Sequence, residues 1–177
     1  RLAIMQPYLF PYIGYFQLVH SVDRFVVYDD VNYIKKGWIN RNRILVNGAP
    51  HTFTLPLQGA GSFTLISDIG LGKEFVAWRV KFLKTLAQVY GKAPHFQQAM
   101  SVIEQALVPE RSSLAELLVD TLRVVMGHIG ITTELNPTSR GYGNKELSGQ
   151  ERVVDICRKE NAASYVNPIG GKELYAK

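Results

Sequence analysis

Cysteine is nearly absent from this chain of 177 residues, which contains only Cys157. A single thiol excludes an intrachain disulfide, and so little cysteine is typical of proteins from a reducing cytoplasm, where we expect this one to be located. Because Cys157 lies in an apolar helical pattern, it is predicted to be a small buried side chain rather than a nucleophile. The chain also lacks any apolar run near the roughly 18 residues that a membrane span requires, so we predict no span.

Motifs for common cofactors are missing as well. None of the four histidines has another histidine, a cysteine or an acid at zinc-ligand spacing, so no metal site is predicted. The sequence contains no P-loop, no Gly-x-Gly-x-x-Gly and no Ser-His-Asp set. The cofactor is therefore left open, with ATP or an aminoacyl-tRNA donor as the candidates.

The charge balance is mildly basic, with a formal net charge of +5 and a pI near 9.3. This favours phosphate-bearing partners such as nucleotides, sugar nucleotides or RNA, although a solubilising surface explains it equally well. Hydrophobic residues make up 46% of the chain, and its length fits one domain over residues 1–177 better than two. Since Lys177 follows no closing element, we expect that the chain continues or was trimmed there. The sequence leaves the oligomeric state open.

Short apolar runs alternate with helical patterns. Strands are predicted near residues 2–5, 24–28, 65–69, 131–135 and 164–166. Helices are predicted over residues 13–19, 73–90, 96–107, 113–128 and 149–161. Because a strand, a helix and a strand occupy the first thirty residues, the strands should be parallel. The pattern predicts a three-layer α/β fold on a mostly parallel, Rossmann-like sheet of the nucleotidyltransferase or HUP-like kind.

A β-ribbon is predicted at about residues 31–57, because Asn47-Gly48 between β-rich runs is a strong hairpin signal. Its cationic segment supplies the predicted binding residues Lys36, Trp38, Asn40, Arg41, Asn42 and Arg43. Alternate side chains of a strand share a face, so the two arginines should lie opposite the two asparagines. Guanidinium forks suit phosphate or pyrophosphate, and RNA could stack on the tryptophan. A solvated ribbon is the alternative.

Polar or glycine-rich residues follow each predicted parallel strand, where ligands of open parallel sheets bind. Asp29 and Asp30 end the second strand and are predicted to be catalytic. Such a pair could provide a general base or bind a ribose, an ammonium group or a divalent metal, although one of the two could be a turn residue. The binding residues predicted at the other strand ends are Gln6, Tyr8, Ser139, Asn167, Gly170 and Gly171.

Tyr12-Ile13-Gly14-Tyr15 resembles, in its place after the first strand, the His-Ile-Gly-His motif of nucleotidyltransferases and class I synthetases. In that motif the glycine makes room for an adenine and the histidines stabilise phosphate charge. Tyrosine donates hydrogen bonds but carries no positive charge, so the phosphate chemistry would be weakened, relocated or lost. We predict that Tyr12 is catalytic and that Gly14 and Tyr15 bind substrate. Packing of aromatic side chains in the core is the alternative.

Several of these stretches together resemble the WbqC-like family. They are residues 6–7 with 11–16, 25–31, 36–43, 149–157 and 165–175. That family is associated with gene sets for O-antigen and related polysaccharides. The resemblance implies an acyl- or aminoacyltransferase, or an ATP-dependent amide ligase, that adds a group such as glycine to a nucleotide-linked amino sugar. It assigns no catalytic residue. The alternative is a non-catalytic protein of a polysaccharide assembly system that binds nucleotide sugars or RNA.

The cationic segment gives a first testable expectation. Arg41→Ala should weaken nucleotide binding about tenfold or more, because a charge-assisted phosphate contact contributes roughly 1.5–3 kcal/mol. Its melting temperature should hardly change, since surface substitutions usually alter stability by under about 0.5 kcal/mol. Asn40→Ala should instead lower stability if Asn40 faces the sheet. Calorimetric titrations and thermal melts measure both effects. Lower stability with unchanged affinity for Arg41→Ala would move the site to Asp29, Asp30 and Ser139.

Overall fold

The structure, a computed structural model, describes residues 1–174 as a mixed α/β fold. A parallel sheet contains, in spatial order, β1 (Leu2–Met5), β2 (Arg24–Val27) and β7 (Glu134–Asn136). Tyr165 forms a parallel bridge with Leu2 on the free edge of β1. The α/β class and the parallel pairing are therefore confirmed, while the strand predicted at 164–166 is reduced to this bridge. A Rossmann-like fold stays a prediction.

Each α-helix lies within a few residues of its predicted position. The helices of the described residues are α1 (Ile13–His20), α2 (Phe75–Tyr90), α3 (Phe96–Ala106), α4 (Leu114–His128) and α5 (Gly149–Lys159). The Ser113 hydroxyl caps α4 by accepting a hydrogen bond from the Glu116 amide, as the Ser-x-x-Glu pattern favours. Across residues 1–174, no helix combines the length and apolar character that crossing a membrane would need.

Helices pack on both faces of the parallel sheet, because alternate strand residues point to opposite sides. The side chains that face α1 and α4 are Ala3, Phe25 and Val27. Those that face α5 are Leu2, Ile4 and Val26. Cys157 of α5 is half-buried against the side chains that face α5, and burial raises the pKa of its thiol. A sheet covered on both faces explains why β1 and all but the first residue of β2 are apolar.

A second core lies between a β-hairpin and helices α2, α3 and α4. The hairpin pairs β3 (Arg41–Val46) with β4 (Ala49–Thr54) in antiparallel register, within the predicted ribbon. Its turn residues Asn47 and Gly48 have φ angles of 51° and 77°, the left-handed values that a two-residue hairpin turn requires. Phe53 of β4 packs on Phe82 of α2 with ring centroids 4.5 Å apart, which anchors the hairpin to the helices.

Helix α4 contributes to both cores. The residues that it places in the ribbon-side core are Leu114, Leu117 and Leu118. The residues that it places against the sheet are Val119, Leu122 and Met126. Because two sides of one helix are buried in different clusters, α4 fixes the ribbon side of the molecule relative to the sheet.

Two sequence predictions need correction. The apolar run at 65–69 forms a 3₁₀ turn, Ile66–Asp68, followed by the short strand β6 (Gly70–Leu71), which pairs with β5 (Leu57–Gln58). The amide of Ile66 donates to the Val31 carbonyl, and this contact anchors the turn. The strand predicted at 131–135 begins only at Glu134, because the Ile131 amide still donates to the Met126 carbonyl of α4.

Candidate functional site

The carboxyl ends of β2 and β7 meet at Asp29. Its side chain is 3% exposed, and Oδ1 accepts hydrogen bonds from the Thr138 hydroxyl at 2.9 Å and the Ser139 amide at 3.0 Å. The Ser139 hydroxyl donates to Asp30 as well. The structure thus brings together the predicted residues Asp29, Asp30 and Ser139. Their catalytic and binding roles stay predictions.

Asp30 is paired with Arg152, a residue that the sequence reasoning missed. Arg152 donates to the buried Asp30 carboxylate, to the Asp30 carbonyl at 3.3 Å and to Asn144 Oδ1 at 3.0 Å. Its guanidinium also lies 5.0 Å from the centre of the Tyr28 ring. A signal was present, because Arg152 precedes the core residue Ile156 by four positions and so shares the buried face of α5.

Asp29 differs from Asp30 in what surrounds its carboxyl group. Burial raises the pKa of Asp29 above its usual value, the nearby Asp30 charge adds to the rise, and the bonds from Ser139 and Thr138 oppose it. A carboxylate with raised proton affinity at the edge of a cavity is suited to accept a proton from a substrate. Asp30, already bound by Arg152, is suited to hold its neighbour in place.

Asp29 lines a cavity of about 460 Å³ between the loop after β7, the Ile66–Asp68 turn and the first turns of α4. The charged residues that surround this cavity are Asp29, Glu116, Asp120, Arg111, Arg123 and Arg140. It therefore offers both signs of charge to a ligand. Sequence reasoning missed the three arginines because they lie in separate segments. No group of three or more metal-ligating side chains occurs among the side chains of residues 1–171.

The cationic segment of the ribbon has its arginines on one side. The Arg41 and Arg43 guanidinium groups lie 5.9 and 5.1 Å from the centre of the Trp38 ring. Asn40 is buried on the other side, where it accepts a hydrogen bond from the Tyr33 hydroxyl at 2.7 Å and donates one to the Leu55 carbonyl at 3.0 Å. These positions agree with the alternation predicted from the sequence.

Arg41 also holds the turn before its strand. Its Nε donates to the Gly37 carbonyl at 2.9 Å, and a second nitrogen bonds to the carbonyl of Lys36, which has a φ of 60°. We therefore expect Arg41→Ala to lower stability, in contrast to the sequence-based expectation. Arg43 is exposed and stacks on Trp38, which makes it the better residue for probing ligand binding at the ribbon.

The loop after β1 is fastened to the ribbon. Asn42 Nδ2 donates to the carbonyls of Leu9, at 3.0 Å, and Phe10, at 2.7 Å, and Phe10 has a positive φ of 48°. These bonds offset part of the strain of a left-handed residue that is not glycine. The Tyr15 hydroxyl donates to the Gln6 carbonyl at 3.0 Å, and its ring is 2% exposed. Tyr15 and Asn42 thus have clear structural roles.

Tyr12 lies over the glycine of the His-Ile-Gly-His-like sequence. A Cβ placed on Gly14 would collide with the Tyr12 ring, so the open space beside the glycine is filled by this chain's own side chain. Tyr12 is 65% exposed, which leaves its hydroxyl accessible to a ligand. Tyr8, half-buried nearby, packs on Tyr15 with centroids 5.8 Å apart.

The turn after the Tyr165 bridge holds a buried donor. Asn167 Nδ2 has no hydrogen-bond partner among the described residues, and Oδ1 of the same amide accepts from the Tyr165 hydroxyl at 3.4 Å. A Cβ on Gly171 would collide with this amide, which explains the glycine. Gly170 is exposed. A buried amide donor without a partner is compatible with the predicted binding role of this turn, because such groups usually find one.

The buried ion pair can be tested by mutation. Arg152→Met should lower the free energy of unfolding by about 3–5 kcal/mol, because it leaves the Asp30 carboxylate buried without its partner. Glu134→Gln, which removes the exposed ion pair with Arg24, should change it by less than about 1 kcal/mol. Urea unfolding measures both. Equal stability losses for the two variants would contradict the importance assigned to the buried pair.

Comparison with known proteins places the chain in a family. The uncharacterized protein Rv1507c of Mycobacterium tuberculosis is 30% identical over 175 aligned residues, which cover 94% of this chain and 71% of that protein. No solved structure matches the chain. The sequence profile of the WbqC-like protein family matches residues 6–177, a span that contains every site residue described above. The chain therefore belongs to the WbqC-like protein family.

Proposed function

We propose that this protein is an enzyme of bacterial surface-polysaccharide biosynthesis that forms an amide on a nucleotide-linked amino sugar. Membership of the WbqC-like family supports the substrate class. The observation that carries the proposal is Asp29, a buried carboxylate with a raised pKa that opens into a cavity of mixed charge. The transferred group is an acyl or aminoacyl group, with glycine as the candidate.

The chemistry asked of Asp29 is removal of a proton. The ammonium group of the sugar gives a proton to Asp29, and the free amine attacks the carbonyl carbon of an activated donor. A carbon–nitrogen bond forms, and the carbon–oxygen bond to the leaving group breaks. The departing oxygen takes the second proton of the nitrogen, and Asp29 returns its own proton to solvent. The donor is an aminoacyl ester such as an aminoacyl-tRNA, or a mixed anhydride formed from ATP.

The other predicted residues are assigned around this step. Asp30 and Ser139 are positioning residues, because the Ser139 amide donates to Asp29 and the Ser139 hydroxyl donates to Asp30. The exposed Tyr12 hydroxyl is assigned to the carbonyl oxygen of the donor. The ribbon surface of Lys36, Trp38 and Arg43 is assigned to the donor phosphates, with the tryptophan as a stacking platform. We further propose one domain over residues 1–177, a Rossmann-like sheet and a cytoplasmic location.

A second candidate is a non-catalytic protein that binds nucleotide sugars or RNA. The observation that favours it is the pair of tyrosines in place of the two histidines, together with the Tyr12 ring that fills the space beside Gly14. Titration separates the two candidates, because a binding protein shows affinity for its ligand without turnover.

Product formation tests the leading candidate directly. A 4-amino-sugar nucleotide incubated with the protein, glycine and ATP, or with glycyl-tRNA, should gain the mass of one glycyl group. A reaction with the amine replaced by a hydroxyl is the control and should give no product. Absence of a mass gain with either donor would count against amide formation.

Asp29→Asn separates catalysis from folding. The variant should lose activity by about 10²–10⁴-fold, because the base is gone while the amide oxygen can still accept the bonds from Thr138 and Ser139. Its stability at neutral pH should be equal or higher. A carboxyl whose folded pKa is raised stabilises the fold only at low pH, and that contribution is lost as pH rises through the folded pKa.

Activity of the wild type should fall with decreasing pH at a value above the usual aspartate range, as Asp29 becomes protonated. Asp23→Asn is the matched control, because this exposed aspartate precedes β2 at the opposite end of the strand. It should keep both activity and pH profile. An active Asp29→Asn enzyme with an unchanged profile would remove Asp29 from the mechanism.

A further inference from the structure

Two hollows meet at Arg123 on the surface of α4. One is the cavity of about 460 Å³ that contains Asp29. The other, of about 710 Å³, lies between α3 and α4, and its lining includes three glutamine side chains of α3 and His128 at the end of α4. Arg123 lines both. A ligand that fills both hollows must therefore pass this guanidinium.

Arg123 differs from the other arginines of the Asp29 cavity in its partners. Arg111 is paired with Asp120 at 2.6 Å, and Arg140 is paired with Asp68. Among the side chains of residues 1–171, Arg123 has no carboxylate partner, and its own side chain is exposed. The Asp120 carboxylate already forms an ion pair with Arg111, so the Arg123 guanidinium is available to an anionic ligand.

The path along α4 has the length and openness that an extended ligand needs. Glu116, Asp120, Arg123 and Gly127 are spaced by four, three and four residues, so they form one stripe of the helix surface. From the first to the last of them the helix rises about 16 Å. Gly127 has nothing within 4 Å of its Cβ position, so the second hollow is open above it.

A buried hydroxyl adds to the polar lining on the Asp29 side. Ser67 lines the cavity, and its oxygen has no hydrogen-bond partner among the described residues. A sugar ligand rich in hydroxyl groups would supply that partner. On the α3 side, Gln98 Oε1 contacts His95 Nδ1 at 3.2 Å, and Gln105 Nε2 donates to the Ser101 hydroxyl at 2.9 Å. The Gln97 amide and the remaining donors and acceptors of these two glutamines line the hollow and suit recognition of a base edge.

We infer that this α4 groove binds the nucleoside diphosphate of the amino-sugar substrate. The amino sugar lies beside Asp29, the diphosphate contacts Arg123, and the nucleoside lies between α3 and α4. The identity of the sugar rests on the proposed function. The sequence pattern predicted that the diphosphate of the sugar nucleotide binds at the ribbon. This inference places it on α4 instead, and assigns only the phosphates of the acyl donor to the ribbon.

Titration with UDP and dTDP tests the assignment without any turnover. Arg123→Ala should weaken binding about tenfold, while Arg43→Ala on the ribbon and Lys84→Ala on the exposed side of α2 should leave it unchanged. A loss with Arg43→Ala and none with Arg123→Ala would return the site to the ribbon and overturn the inference. Failure of the wild type to bind either nucleotide at millimolar concentration would also overturn it.

Gly127→Leu gives a second test, which distinguishes a blocked nucleoside site from a loss of folding. Leucine has a higher helix propensity than glycine, so the melting temperature should not fall. Its side chain should block the nucleoside end, weakening UDP binding at least about tenfold, while affinity for inorganic pyrophosphate stays the same. Unchanged UDP affinity would contradict the placement of the nucleoside.

These outcomes are independent of the amide-forming reaction. If the protein binds UDP through Arg123 but forms no amide, the proposed site on α4 stands and the proposed enzyme function is contradicted. If the protein forms the amide but its affinity for UDP does not depend on Arg123, only the proposed site on α4 is contradicted.

Discussion

The structure depends on one buried ion pair, between Asp30 at the end of β2 and Arg152 of α5. Taking two charges out of water costs several kcal/mol per ion, and the cost is offset only when the remaining polar atoms are also bonded. Here Ser139 and Asn144 complete the pair, so the ends of β2 and β7 and the helix α5 must adopt their positions together. Asp29 is held in its place as a consequence.

Local chemistry made much of the fold predictable. The Asn47-Gly48 turn, the Ser113 cap and the apolar runs of β1 and β2 each act over a few residues, and the structure has all of them. Cases decided by distant contacts were not predictable. The run at 65–69 has strand-like composition, but bonds to residues near Val31 and Leu114 fold it into a turn.

The candidate site also contains some residues that could be predicted from the sequence and others that could not. Asp29, Asp30 and Ser139 could be proposed because residues after parallel strands converge at one sheet edge. Arg152 could not, since an arginine on a helix is normally exposed and only its register with Ile156 indicated burial. Arg111, Arg123 and Arg140 come from a loop, a helix and a turn that meet only after both cores have formed. Tyr15 and Asn40, predicted to bind substrate, are buried and make hydrogen bonds within the fold, and their binding roles stay predictions.

The position of α4 in both cores has a consequence for motion. Backbone amides in the middle of this helix can exchange with solvent only when both clusters open, so hydrogen exchange there should report global unfolding. The hairpin tip around Asn47, with its exposed neighbours, can open alone and exchange much faster. A ligand bound along α4 would thus rest on a helix held in two cores, while the exposed tip of the ribbon can adjust to a second, larger ligand.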